Sequence, residues 1–411
     1  MYTDVFKKRG LSLLICLALV LMPGCQLLEK SSGNPSWDRV LQSVKGTSVD
    51  LVLWERDSAA IEWFNTSVKK HLLERYEVVL NVTTVDKNEF LSEIRRAKKE
   101  LETIGEEDLV WLSPESFAQL KSEGLLYGPF AQNVLNATAF FDPKGLDTQY
   151  FDATPIDGLA LPFTQQQLSF YYNEDMNYEP PTDLAQLEMA VQDAPGTFTY
   201  PQPEDPVGRA FIHSVILTYT SPKAFLEKPL SDEALKALVK PGLEYLRAIS
   251  KYTYQSGAVY PKDAQALSDL FAESQVFMVM SMDYRHANQL TGDAIYPGGT
   301  RPFFLGTTGV GPKEYLSIPY YSDNKSGAMV VMHGLLDLEV QAQKLASKNF
   351  QGLPVYDYSM LNSTSMNAIK KALSKKTIPD TVKILEQRQH DIPMQYHAKI
   401  AALWRQMVLQ P

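Results

Sequence analysis

Ser48-Val49-Asp50-Leu51-Val52-Leu53-Trp54 is a short, β-rich apolar run and reads as a strand. The next segment, Ser58 to Arg75, places Ile61, Phe64, Val68 and Leu72 three to four residues apart, the spacing of one helical face. Glu77–Val85 (EVVLNVTTV) is a second strand. Asn88–Thr103 is a charged amphipathic helix with Phe90, Leu91, Ile94 and Leu101 inward, and Asp108–Leu112 (DLVWL) is a third strand. Ser113-Pro114-Glu115 then opens another helix, with Ser at the cap and Pro in the first turn. Strands alternating with helices predict an α/β fold on a mostly parallel sheet.

Further along, residues 128–160 are irregular and read as a crossover. Gln167–Tyr172 is a strand, a helix follows a cap at Thr182 or Asp183, and Phe198–Tyr200 is a short strand. Arg209–Tyr219, Asp232–Lys251 and Ala264–Ser274 are helices, and Val276–Met282 is a buried strand. Residues 292–315 form a second crossover, a strand ends at Ile318-Pro319, and Lys325–Ala346 is one helix. The stripe Ile400, Leu403, Trp404, Met407 and Val408 marks the last helix as docked on a core. Some 375 residues (37–411) exceed a single typical core, so two lobes are expected.

The amino terminus carries Lys7, Lys8 and Arg9, then an apolar run from Leu11 to Leu21, then Met22-Pro23-Gly24-Cys25. These are the parts of a secretion signal, and the run is shorter than the ~20 apolar residues of a membrane span. The end of the run resembles the bacterial lipobox. That resemblance implies that Cys25 is the first mature residue and carries acyl chains, firm anchoring taking more than one chain. Residues 26–36 read as a polar tether. The only other cysteine, Cys16, lies inside the leader, so no internal disulfide is expected.

A net charge of −9 argues against nucleic acid, which needs a basic face. No nucleophile elbow or phosphate-binding loop is present, and Gly306-Thr307-Thr308-Gly309-Val310-Gly311 has the wrong spacing for a dinucleotide fingerprint. The six histidines are scattered, and His390 and His397 flank Asp391 without metal-ligand spacing; no metal or cofactor is expected. Glu55 and Asp108 can be imagined as a glycosidase pair, but carboxylates at strand ends more often cap helices or face solvent. An extracytoplasmic two-lobed chain of this kind reads as a cleft binder, its cleft lined by loops at the carboxyl ends of the strands.

Glu107–Phe130 (EDLVWLSPESFAQLKSEGLLYGPF) resembles a signature of the family 1 extracellular solute-binding proteins, and within them the YnjB-like subgroup. Pro195–Pro203 (PGTFTYPQP), Gly306–Pro319 and Lys325–Lys344 resemble further blocks of that subgroup, in order along residues 48–360. The resemblance implies a type II periplasmic-binding fold: two α/β lobes around a hinged ligand cleft. It assigns 37–160 with 300–350 to one lobe and 161–299 with 351–411 to the other. It also implies delivery of a small solute to the permease and ATPase of an ABC importer, by a lipid-anchored monomer on the periplasmic side. The chain departs from the subgroup at Trp54-Glu55-Arg56, Trp111-Leu112-Ser113, Pro162–Gln167 and Ser281–Tyr284, all at predicted strand ends. By position, the ligand candidates are Trp54 and Tyr284 for stacking, and Glu55, Asp205 and Asp283 for a cationic or hydroxylated group. Ser113, Gln165, Tyr200 and Thr308 are candidates for hydrogen bonds. The acidic candidates favour a thiamine- or polyamine-like cation. The competing readings are an extracytoplasmic enzyme and a sensory lipoprotein on the same scaffold.

Overall fold

The computed structural model describes residues 35–53, 58–176, 179–306, 309–347, 350, 352–372 and 378–409. In chain order its strands are β1 (Ser48–Leu53), β2 (Val79–Thr84), β3 (Leu109–Leu112), β4 (Tyr150–Phe151), β5 (Thr154–Pro155), β6 (Ala160–Gln165), β7 (Ser169–Asn173), β8 (Met278–Ser281), β9 (Thr300–Phe303) and β10 (Lys313–Ser317). A five-stranded sheet runs in the order β2-β1-β3-β10-β6, and a three-stranded sheet runs β8-β7-β9. The strands β1, β2 and β3 are parallel, as the sequence suggests. However, β10 runs antiparallel to both β3 and β6, and the smaller sheet is antiparallel throughout. The chain re-enters the first lobe at β10 from the side to which β1, β2, β3 and β6 point, so β10 runs against its neighbours.

Alternation along the strands gives the first sheet two buried faces. Leu51, Leu53, Leu109, Trp111 and Leu316 pack on one side with helices 58–76 and Lys325–Leu335. Val52, Val110, Leu112 and Tyr315 pack on the other with helices Lys87–Lys99 and Pro114–Ser122. The second sheet has its own core around Tyr171, Phe211, Leu246 and Met278. Helix His397–Trp404 docks there as its apolar stripe predicts, burying Ile400, Trp404 and Val408.

Four strands escape the sequence reading, the two-residue pair β4 and β5 and the longer β6 and β9, and each of the longer two contains a proline, Pro162 and Pro302. Proline cannot donate to a ladder and is confined to sheet edges; both strands are edges. They also move the expected lobe limits, since 160–165 pairs with the first sheet and 300–303 with the second. Phe198–Tyr200, expected as a strand, forms no ladder. Only Thr197 O and Phe198 O accept backbone bonds, from Phe277 and Tyr254 at 2.8 and 2.7 Å, and Pro201 ends the run. The helix expected over 325–346 is two, Lys325–Leu335 and Leu338–Ala346. The break is at Asp337, whose carboxylate turns inward to His71 and Tyr76, both at 2.7 Å.

Among the described residues the chain passes between the sheets at three places, 166–168, 304–306 with 309–312, and 387–392. These passages hydrogen-bond side by side, Gln166 N to Pro312 O at 2.9 Å, Leu168 N to Val310 O at 3.0 Å and Gly309 N to Gln387 O at 2.8 Å. The result is a narrow three-stranded neck.

Candidate functional site

Four strands of the first sheet, β1, β2, β3 and β6, point their carboxyl ends the same way. Near the carboxyl end of β6, where Lys313 pairs with Gln165 and reaches Asp147, lies a cavity of about 790 Å³. First-lobe residues Asp142 to Asp147 form part of its lining, and Leu217 to Pro222, at the end of second-lobe helix Pro206–Tyr219, form another. Tyr356–Ser359, then Leu385 and Glu386 just before the third passage, and Arg388 to His390 within it, complete it.

Its electrostatics centre on Asp147, at the start of a short helix, Leu146–Gln149. The carboxylate meets Lys313 Nζ at 3.1 Å, Arg388 Nε at 3.1 Å and His390 Nδ1 at 2.6 Å. Burial pushes its pKa up, but Lys313, Arg388 and His390 outweigh that and hold it well below the usual carboxylate range. Burial pulls His390 down, yet its bond to Asp147 raises it on balance. The other His390 nitrogen, Nε2, bonds Asp152 O at 2.9 Å. Asp357 is raised by burial, with Lys313 at 3.9 Å opposing. Four carboxylates line the space, on Asp142, Asp147, Asp357 and Glu386, against Arg388 and His390. Tyr219, Tyr356 and Tyr358 add aromatic surface.

Of the nine residues expected to hold ligand, Trp54, Glu55 and Thr308 lie outside the described residues, as does Cys25. None of the other six lines this cavity. Ser113 caps helix Pro114–Ser122 through Ser116 N. Asp205 caps helix Pro206–Tyr219 and also accepts from Ala264 N at 3.1 Å. The rings of Tyr200 and Tyr284 are buried rather than presented to a cleft. Tyr200 accepts from Trp404 Nε1 at 3.0 Å, and Tyr284 donates to Leu345 O at 2.8 Å. Gln165 is buried in the neck and donates to Pro354 O at 2.7 Å. Asp283 holds its own turn by accepting from Arg285 N at 2.8 Å. Tyr284 does meet Leu345 of the first lobe across the cleft side of the molecule through its bond to that carbonyl. Asp108 is buried and accepts from Asp50 N, Ser322 Oγ and Asn324 N, which occupies it structurally.

Asp142, Asp147, Asp357, Arg388 and His390 were not singled out from sequence. They come from three separated segments, and only the acidic, glycine-bearing run 142–147 carries a local signal.

Residues 60–313 match the family described as bacterial extracellular solute-binding protein. The chain belongs to that family. The solute-binding protein fold agrees with it throughout. YnjB of Escherichia coli K12 is 25% identical over 322 residues, covering 77% of this chain and 82% of that protein. The maltose-binding protein MalE of Listeria monocytogenes, solved with maltose, superposes with a TM-score of 0.62 at 13% identity. That match covers 89% of this chain and 92% of MalE. The spermidine/putrescine-binding protein PotD of Streptococcus pneumoniae gives 0.53 at 14% identity over 89% and 98%. At such identities the structural likeness concerns the fold. Among the described residues no helix is long and apolar enough to cross a membrane.

Proposed function

We propose that this solute-binding protein captures a small polar, preferentially cationic solute between its lobes and hands it to an ABC importer, while tethered to the membrane through acylated Cys25. The observation that carries the solute class is the acidic excess around the 790 Å³ cavity. Pocket volumes of roughly 300–1,000 Å³ suit small ligands. Asp147 is already neutralised by its three partners and Asp357 faces Lys313 at 3.9 Å, so Glu386 and Asp142, whose Oδ1 accepts from Lys144 N, are the carboxylates left without a cationic partner in the cavity among the described residues. The tyrosines supply the faces on which a cationic or hydroxylated solute packs. The three-passage neck supports closure by hinge motion. The importer role rests on the family and on the names of the similar solved proteins. The anchor rests on the sequence before Cys25.

Thermal-shift screening of the processed protein against polyamines, thiamine-like cations, amino acids and neutral sugars tests this. A ligand of the folded state stabilises it by RT ln(1 + [L]/Kd). The expected hit is a cation whose affinity drops several-fold in Glu386→Gln and Asp142→Asn. Selective binding of neutral sugars, unaffected by those changes, would refute the cationic reading. Release of Cys25→Ala protein from the membrane fraction tests the anchor; unchanged retention counts against it.

A further inference from the structure

His213, Asp391 and His397 come together in the second lobe although His213 and Asp391 are 178 residues apart in sequence. Each offers one ligand atom, and the three atoms all lie within 4.8 Å of one another. His213 stands on helix Pro206–Tyr219 and is buried. Asp391 ends the third passage through the neck, and His397 begins the last helix; both are partly open to solvent. His213 Nδ1 and Asp391 Oδ1 are 2.7 Å apart, and the His213 and His397 rings lie 4.8 Å centre to centre.

We propose that His213, Asp391 and His397 form a binding site for one divalent transition-metal ion of the zinc class, which fastens the third passage of the neck to the helix carrying His213.

Two imidazoles and one carboxylate are a common ligand set for zinc, leaving a fourth position to water. The surroundings suit that use. His397 Nε2 bonds Ile392 O at 2.8 Å, which leaves the opposite ring nitrogen, Nδ1, as the lone-pair donor. A backbone carbonyl is the usual second partner of a metal-bound histidine, fixing tautomer and ring angle. Ile392 N donates to Asp391 Oδ1 at 2.7 Å and orients that carboxylate as well. The His213–Asp391 separation is that of a proton-mediated contact. Two ligands of one tetrahedral zinc sit roughly 3.3 Å apart, from bond lengths of about 2.0–2.1 Å. Replacing the shared proton by the ion therefore asks His213 and Asp391 to part by about half an ångström, while separations within the trio that reach up to 4.8 Å close towards that value. Arg209 places positive charge in reach of His397, and the single Asp391 carboxylate offsets it. Asp391 adjoins His390 of the cavity lining, so an ion here stiffens the cavity floor.

The processed protein, stripped with chelator, is titrated with zinc chloride by calorimetry and with cobalt chloride by visible absorption. One equivalent of zinc bound at micromolar Kd or tighter is expected, with an intense tetrahedral-type cobalt band and a higher melting temperature than in chelator. His397→Gln, which keeps the Ile392 bond available, weakens zinc at least about tenfold while leaving the circular dichroism unchanged. Asp391→Asn does likewise, and His286→Gln keeps full affinity. Absence of binding overturns the site, and so does binding that neither His397→Gln nor Asp391→Asn weakens.

Discussion

Lys344 is fully buried, and its Nζ donates to Phe163 O and Gln341 Oε1, each at 2.8 Å, with no carboxylate in contact among the described residues. Burial alone pulls its pKa well below the ordinary lysine value. The unfolded chain then binds a proton that the folded chain rejects, so this residue subtracts stability as pH falls below the unfolded value near 10.4. Both acceptors keep another donor, Gln341 Nε2 on Phe163 O and Val355 N on Gln341 Oε1. Lys344→Met is therefore expected to be neutral or to stabilise by about 1 kcal/mol at pH 7. A loss above about 3 kcal/mol in denaturant unfolding would show a charged, compensated amine instead. His333 gives the matching acid-side test. Its Nδ1 accepts from Asn136 N at 3.2 Å, which requires an unprotonated nitrogen. Burial lowers its pKa to about 4, Asp337 opposing and Arg75 assisting. Between that value and the unfolded value near 6.5 the unfolded state binds more protons, so stability rises with pH across this window. Melting temperature is expected to fall from pH 7 to pH 5, and His333→Gln is expected to flatten that slope.

At the scale of elements, the neck explains a glycine run that the sequence leaves without a role. A side chain at Gly309 would collide with Gln167, and one at Gly311 with the Gln166 carbonyl. Gly311→Ala is expected to cost about 1–3 kcal/mol by overpacking, visible in the denaturation midpoint. Unchanged stability would mean that the passages are not held this closely. Regular elements were legible wherever apolar spacing had room to repeat. Helix Lys87–Lys99 and strands β1 to β3 fall within a few residues of expectation. Proline-bearing β6 and β9 were not, because an edge position relaxes the rule against proline only once the sheet order is known. The site was less legible still. Asp205, Ser113 and Tyr200 have the residue types of a binding cleft, but caps and cores use the same types. Only the fold distinguishes Asp205 on three amides from Asp142 at a cavity.

Across the whole molecule, the lobes are joined by hydrogen-bonded strands and by direct packing. Tyr284 of the second lobe sits in a satellite core with Leu345, Tyr356 and Leu385, and Arg285 donates to Ser347 O. A solute that closes the cleft works against these contacts as well as the neck. Small-angle scattering is expected to show a smaller radius of gyration on saturation with the true ligand. No change would place the hinge already shut.

Trp404 and Val408 lie within a few residues of the carboxyl end and yet belong to the core begun at Leu168. During synthesis, then, the second lobe has all but its last wall in place long before it is whole. Tyr200 and Tyr260, which Trp404 covers, must wait for it. A chain ended after residue 395 is expected to make a stable first lobe and a second that binds hydrophobic dye and is cleaved by protease. The last described helix is thus a wall that the second lobe needs in order to close its core.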